Sequence, residues 1–396
     1  MQKFDDLSRS LVALDQDSTL IAVIEMSQKQ WLVGALVPGL AREPQKKLAP
    51  EAPALLALLE RWQAEAAKAG RVIERICVAY EAGRDGFWLA RWLRERGIEC
   101  HVIHPTSIPV SREHRRAKSD RLDLALLQRS FLGWLRGEKK HCSMAPIPSL
   151  AEEDARRLNR ERQTLTGESS RLVNRMKACL ARLGICNFNV KAGDAAARLD
   201  GLHTGEGAPL PPLTRAELRR DLARLALVRA QRKEVDKARH EQLRHGAAAY
   251  RRQVRTLCQV YGLGMPTADM LSTEFFSRPL RDARAVARSA GLTGAPDESG
   301  QRRREKGLAR PTGQARGLKA HGNARVRHGM IQFAWRFLRH QPDSALAQWF
   351  RQRTQDGRSP TRKTMIVALA RKLLIALWRL ATTGQVPQGV RLHPAM

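Results

Sequence analysis

Leu20-Ile21-Ala22-Val23-Ile24-Glu25-Met26-Ser27-Gln28-Lys29-Gln30-Trp31-Leu32-Val33-Gly34-Ala35-Leu36-Val37 is the stretch that decides the fold. Two apolar runs, Leu20 to Ile24 and Trp31 to Val37, flank a short polar turn at Ser27 to Lys29, which predicts two strands joined as a hairpin. Working outward, Pro53 to Ala67 predicts a helix with Leu55, Leu56, Leu58 and Leu59 on its apolar face. Ile76 to Tyr80 then predicts a strand, Phe87 to Arg96 a helix, and Cys100 to His104 another short strand. A strand hairpin followed by strand–helix–strand is the order of a mixed-sheet α/β domain.

Three acids stand out within this region. Glu81 closes the apolar run Ile76-Cys77-Val78-Ala79-Tyr80. Asp120 and Asp123 sit three apart in Arg116-Ala117-Lys118-Ser119-Asp120-Arg121-Leu122-Asp123, which runs into the helix-like Leu124-Ala125-Leu126-Leu127. Residues three apart on a helix are surface neighbours. Carboxylates so placed in a basic chain suggest a site for Mg²⁺ beside a polyanion, since Mg²⁺ is held by a few carboxylates together with water and phosphate. Two such ions can stabilise both the attacking and the leaving oxygen of a phosphodiester. Taken one at a time the acids have blander explanations: Asp120 as a complement to a helix dipole, Ser119 as its cap, Glu81 as a solvated strand end.

Bulk composition agrees with a polyanionic partner. The 396 residues hold 70 Lys+Arg against 39 Asp+Glu, a formal charge of +31, which concentrates nucleic acid and releases counterions when phosphates are bound. A simple coating protein would share the charge without needing this length. Cys77, Cys100, Cys142, Cys179, Cys186 and Cys258 form no CxxC pair and no zinc-like spacing, so they predict reduced, mostly buried thiols. No signal sequence is visible at the N-terminus. The apolar stretch Met365 to Leu380 carries Arg371, Lys372 and Arg379 and predicts an amphipathic helix, not a membrane span. A cytoplasmic, nucleoid-associated protein without membrane contact is the expectation.

The remainder is helical. Ser149-Leu150-Ala151-Glu152 and Thr214-Arg215-Ala216-Glu217 each fit a capping box. Leu158, Leu165 and Leu172 are seven apart and continue through Met176, Leu180 and Leu183; Leu218, Leu222, Leu225 and Val228 begin a second helix expected to reach about Gln253. With the Gly/Pro-rich connector Gly201 to Pro212, they predict two long antiparallel helices, either a dimerising coiled coil or a hairpin within one chain. Next, Tyr261-Gly262-Leu263-Gly264-Met265 fits the turn of a helix-hairpin-helix, or a plain core contact between helices. Pro296-Asp297-Glu298-Ser299-Gly300 precedes Arg302-Arg303-Arg304, a setting in which a serine could be a nucleophile whose phosphate adduct is neutralised by guanidiniums. Trp335, Phe337, Leu338, Leu346 and Trp349 fit apolar helix faces, and Arg325, Arg327, Arg336 and Arg339 a phosphate track. His321 and His328 lack metal-ligand spacing, and Trp31, Trp88 and Trp92 are expected in the core.

Ile24-Glu25-Met26-Ser27, Tyr80-Glu81-Ala82-Gly83, Lys118-Ser119-Asp120-Arg121-Leu122-Asp123, Glu298-Ser299-Gly300 and Gly322-Asn323-Ala324-Arg325 occur in that order. Together they resemble the DEDD transposases of bacterial insertion sequences, recombinases guided by a bridge RNA. The resemblance spans nearly the whole chain. It implies an α/β plus all-α architecture: a RuvC-like, ribonuclease-H-type domain over 1–148, a coiled-coil linker and dimerisation region over 149–257, and a C-terminal transposase domain over 258–396, mostly helical, with a helix-hairpin-helix-like element. It further implies that Glu25, Glu81, Asp120 and Asp123 hold Mg²⁺ while Ser299 forms a covalent phosphoserine link to DNA. Nucleic-acid contacts are expected at Arg116, Lys118, Arg302, Arg303, Arg304, Arg325 and Arg327. The implied partners are DNA (element ends and target), a guide RNA, and further copies of the chain as a dimer or tetramer.

Two departures from the family pattern bear on this. Glu25 stands where the family usually has Asp; Asp15 competes for the role, but only Glu25 precedes the turn and the strand ending in Val37. An imperfect tandem repeat, Gly307 to Arg316 and Gly317 to Arg325, separates Ser299 from Gly322-Asn323. Two other readings follow: a RuvC-like nuclease or junction resolvase using the acids alone, and a nucleic-acid-binding relic inactivated by the repeat.

Overall fold

The structure, a computed structural model, describes residues 7–83, 86–108, 120–138, 141–277, 280–293 and 322–393. The chain divides into two compact units, Met1–Ala151 and Glu152–Met396.

The first unit is built on one sheet. In chain order its elements are β1 (Thr19–Met26), β2 (Trp31–Leu36), β3 (Gln45–Leu48), α1 (Ala52–Lys68), β4 (Arg75–Glu81), α2 (Trp88–Arg94), β5 (Glu99–Ile103), α3 (Asp120–Leu135) and β6 (Met144–Ala145). The six strands lie in the order β3-β2-β1-β4-β5-β6. The hairpin is antiparallel, with Val23 opposite Gly34, whereas β4 runs parallel to β1 with Ile24 beside Tyr80. This mixed sheet with helices is compatible with a ribonuclease-H-type domain.

Alternation along the strands sorts side chains to two faces. Leu20, Ala22 and Ile24 pack with Val78 and Tyr80 against Leu55 and Leu59 of α1 and Leu89 and Leu93 of α2. Ile21, Val23, Cys77 and Ala79 face the other way, onto Leu124, Leu127 and Phe131 of α3. Gly34 allows α3 to lie close on the sheet, because a Cβ there would stand 2.8 Å from Leu124 Cδ2. Of the tryptophans expected in the core, Trp31 is buried but Trp88 is 41% exposed. Its ring stands 6.2 Å from that of Trp31, at the margin of the core. Cys77, Cys100 and Cys142 are buried, and burial pushes each thiol up to about 12. Cys186 is the exposed exception.

The helices that follow are α4 (Leu150–Ala155), α5 (Arg157–Arg182), α6 (Ala195–Arg198), α7 (Pro212–His245), α8 (Ala248–Cys258), α9 (Met265–Glu274), α10 (Ala283–Ser289), α11 (Ala324–His340), α12 (Ala345–Arg353) and α13 (Ser359–Thr383). Helices α5 and α7 run antiparallel, since Arg162 pairs with Asp236 at 2.7 Å while Arg175, farther along α5, pairs with Asp221, earlier in α7. Leu165, Leu172, Met176 and Leu180 pack with Leu218, Leu222 and Leu225. The leucine stripe is therefore used inside one chain, as a hairpin.

Two expectations for α7 need correction. It ends at His245, not near Gln253, because the backbone turns extended at Gly246, where a Cβ would stand 2.4 Å from the Gln242 carbonyl oxygen. It also starts at Pro212 with no side-chain cap, so Thr214 lies inside the first turn and caps nothing. Proline suits that first turn because its missing N–H would have had no helical partner. Beyond Gly246, α8 joins the C-terminal core, with Val254 and Leu257 clustered with Leu271, Phe333 and Leu373. Among the described residues no helix, α13 included, is long and apolar enough to cross a membrane.

Candidate active site

Glu25 and Glu81 each follow directly on a paired residue, Ile24 on β1 and Tyr80 on β4. The strands are parallel, so both carboxylates leave the sheet at its same end. Ile24 and Tyr80 point to the α1/α2 face, so alternation places Glu25 and Glu81 on the face covered by α3. Glu25 is half-buried and Glu81 exposed. The Tyr80 hydroxyl donates to the Gly86 carbonyl at 3.0 Å and fixes the chain just beyond Glu81. Asp15 sits before the start of β1, where its carboxylate accepts from Ser18 Oγ (2.7 Å) and the Asp17 amide (3.0 Å). A strand of this length separates it from the Glu81 end by about 20 Å.

Helix α3 brings the other pair. Leu124, Leu127 and Phe131 form its sheet-facing stripe. Asp120 begins the helix, and Asp123 stands four residues before Leu127, so it continues that stripe into the first turn. Asp123 is exposed; the Asp120 side chain lies outside the described residues. Among the described residues, no three His, Cys, Asp or Glu side chains gather closely enough to hold a metal ion.

A different acid on the same sheet is a structural one. Glu99 accepts two hydrogen bonds from Arg75 (2.8 and 2.9 Å) and contacts His101 Nε2 at 2.6 Å. Burial disfavours its charge, but the bonds from His101 and Arg75 outweigh that and hold its carboxyl well below the usual range.

Ser299, Arg302, Arg303, Arg304 and His321, with Arg116 and Lys118, lie outside the described residues, but the two ends of the Ser299 segment do not. The Asn323 amide donates to the Ser289 carbonyl at 2.8 Å, and Arg327 Nη1 to the Gly291 carbonyl at 3.0 Å. Gly291 and Asn323, on the two sides of the stretch that carries Ser299, are thus held together at one clamp. Gly322 is required there: its φ is +98°, and a Cβ would stand 2.3 Å from the Gly291 nitrogen. Asn323 caps α11, its Oδ1 accepting from Arg325 N (3.0 Å) and Val326 N (3.3 Å), while its Nδ2 reaches Glu274 at 3.4 Å. Glu274 in turn accepts a bidentate pair from Arg160 (2.7 and 3.1 Å). Gly322→Ala is therefore expected to destabilise the protein by more than about 1 kcal/mol. Gly357→Ala, at a left-handed position with nothing within 4 Å of the added Cβ, should cost less. Urea unfolding of the two variants checks this.

The Gly262 turn joins α8 to α9 as expected, but it packs on the protein itself. Its Cβ position lies 3.0 Å from His340 Cβ, and Gln341 Nε2 donates to the Tyr261 carbonyl at 3.0 Å. On α11, Arg325, Arg336 and Arg339 are exposed, whereas Arg327 is half-buried and committed to the clamp.

A mixed sheet with Glu25 and Glu81 at one end of adjacent parallel strands, in a chain with 70 Lys+Arg against 39 Asp+Glu, is compatible with an enzyme that works on nucleic-acid strands. Comparison with known proteins makes this specific. The profile of the DEDD transposases of the IS110 type matches residues 42–185, a stretch that includes Glu81, Asp120 and Asp123 and ends before Ser299. A Sinorhizobium fredii protein named as a transposase (y4rJ) is 40% identical over 379 residues, covering 92% of each chain. The chain belongs to this family of insertion-sequence transposases, enzymes that move DNA.

Proposed function

We propose that this transposase recombines DNA by transesterification through a phosphoserine link at Ser299, assisted by Mg²⁺ and directed to its site by a structured guide RNA. The observation that carries the proposal is that Glu25 and Glu81 end adjacent parallel strands on the face covered by α3, the helix whose first turn carries Asp123. An all-carboxylate donor set suits a hard cation such as Mg²⁺. Glu25, Glu81, Asp120 and Asp123 would hold it, and when bound it would supply positive charge to the phosphate under attack.

The chain's own groups account for the rest. Ser299 Oγ attacks the scissile phosphorus; one P–O bond forms as another breaks, the serine gives up its proton and the departing strand oxygen takes one up. The product keeps a phosphodiester-type bond, so a second strand's hydroxyl can reverse the step and free the serine without an external energy source. The repeat at 307–325 need not remove this activity, because added length between two fixed ends costs little closure entropy. We assign the RuvC-like role to 1–148, the linker to 149–257 and the serine-bearing role to 258–396. Exchange between two duplexes cuts four strands, so with one serine per chain a tetramer could cut all four at once, whereas a dimer would use each serine twice. The excess of basic residues suits both DNA and guide RNA.

A plasmid strand-exchange assay tests the reading, with element ends, target, the RNA transcribed from the element's flank, and Mg²⁺. Exchange is expected only when RNA and metal are both supplied. Exchange without RNA would remove the guidance step; DNA cleavage without joining would favour a RuvC-like nuclease.

A further inference from the structure

In the helical unit, α5, α9 and α11 surround an open pocket of about 450 Å³. Arg162, Arg325, His328 and Arg336 line it, and no Asp or Glu does among the described residues. Two of the guanidiniums are oriented by neighbours: Arg162 Nε donates to Asp236 Oδ1 at 2.7 Å and Arg336 Nη2 to Thr267 Oγ1 at 2.9 Å. A guanidinium carries five N–H donors, so these bonds aim it without exhausting it. Gln163 and Gln332 add amides, and Pro266 and Met270 an apolar surface. Arg325, His328, Gln332 and Arg336 recur about once per turn, a stripe roughly 16 Å long on α11.

Gly167 on α5 also lines the pocket. Glycine inside a helix is destabilising relative to alanine, and packing does not require it here: an added Cβ would meet only Arg171 Nη1, at an ordinary 3.4 Å. On α11, by contrast, a Cβ on Gly329 would stand 2.5 Å from Met270 Cε, so that glycine is fixed by helix contact. What Gly167 preserves is the open space of the pocket.

We propose that this pocket receives one unstacked nucleotide of a single nucleic-acid strand. Arg325 and Arg336 hold the phosphates on either side, as guanidiniums do through paired hydrogen bonds. The base enters beside Gly167 against Pro266 and Met270, with Gln163 and Gln332 available to its hydrogen-bonding edge. The volume is that of a small-ligand site and suits a nucleotide, not a duplex. The inference rests on the reading of the chain as a nucleic-acid enzyme and adds that the protein itself contacts a base.

The test uses full-length protein and fluorescence anisotropy at constant salt, with single strands of DNA and of RNA, the same strands with abasic sites, and a DNA duplex. Wild type is expected to bind the base-bearing strand about tenfold more tightly than its abasic counterpart. The sugar of the strand that shows the difference identifies the source. Gly167→Leu should erase that preference while duplex binding and the thermal midpoint hold, and Gly167→Ala should keep the preference and raise the midpoint. Arg336→Ala should weaken all single strands and reduce the salt slope by about one. Equal binding of base-bearing and abasic strands, or an intact preference in Gly167→Leu, would overturn the proposal. Failure to bind any strand, duplex included, would overturn it together with the nucleic-acid reading on which it rests.

Discussion

Glu81→Gln is expected to lower strand exchange by at least about a hundredfold, the scale of losing one charge-stabilising group aimed at a reacting centre. Stability should hardly move, because the side chain is exposed at a strand end and exposed substitutions usually fall within about 0.5 kcal/mol. Asp123→Asn, equally exposed, should behave alike, and Glu25→Gln, half-buried, should lose exchange to a similar degree. Glu99→Gln gives the opposite profile: that carboxylate is tied to Arg75 and His101, so stability falls while exchange by the folded protein persists. Exchange rates and urea midpoints of the four variants separate the two kinds of acid. Full activity in Glu81→Gln would remove it from the metal-binding set.

The second large effect concerns the joint between α7, α8 and α9. Arg239 is fully buried; its Nε donates to Asp269 Oδ2 at 2.7 Å, and the Tyr250 hydroxyl donates to Asp269 Oδ1 at 2.8 Å. Burial, then the Asp269 charge, pushes the Tyr250 hydroxyl's pKa up, so it stays a donor. Asp269→Ala would leave the buried guanidinium only the longer contact of its Nη1 with Asp236 at 3.3 Å, a carboxylate it shares with Arg162, and breaking a buried pair in this way costs about 3 kcal/mol. In a unit of this size that corresponds to a fall of roughly 10 °C in melting temperature. Replacing Arg239 and Asp269 together by apolar residues should restore much of the loss, because a well-packed apolar pair can match a buried ion pair. Calorimetry on the single and double variants decides it; a loss that the double variant merely adds to would show that the pair is not coupled.

The hairpin of β1 and β2, and the strands β4 and β5, were legible because each is an apolar run bounded by polar residues. β3 was not. Its Gln45-Lys46-Lys47-Leu48 is mostly polar because an edge strand is exposed and lysines discourage further pairing. The leucine spacing of α5 and α7 announced two helices that must bury a stripe, but spacing alone cannot say whether the partner is the same chain. Glu81, Asp120 and Asp123 were singled out by a strand end and an i,i+3 step, and the structure ends β4 at Glu81 and starts α3 at Asp120. Gly322 and Asn323 were seen as a motif, but their structural roles, a left-handed turn against Gly291 and a cap that also reaches Glu274, emerge only in three dimensions. The pocket around Gly167 was invisible because its walls come from three distant stretches of sequence.

The most direct measurement of the central claim is covalent trapping. The protein is incubated with element-end DNA, flank RNA and Mg²⁺, then run on a denaturing gel beside Ser299→Ala and a chelated sample. The account predicts a protein–DNA adduct in the wild type that is absent from both controls. An adduct that survives Ser299→Ala, or strand exchange by the wild type with no adduct at all, would contradict it.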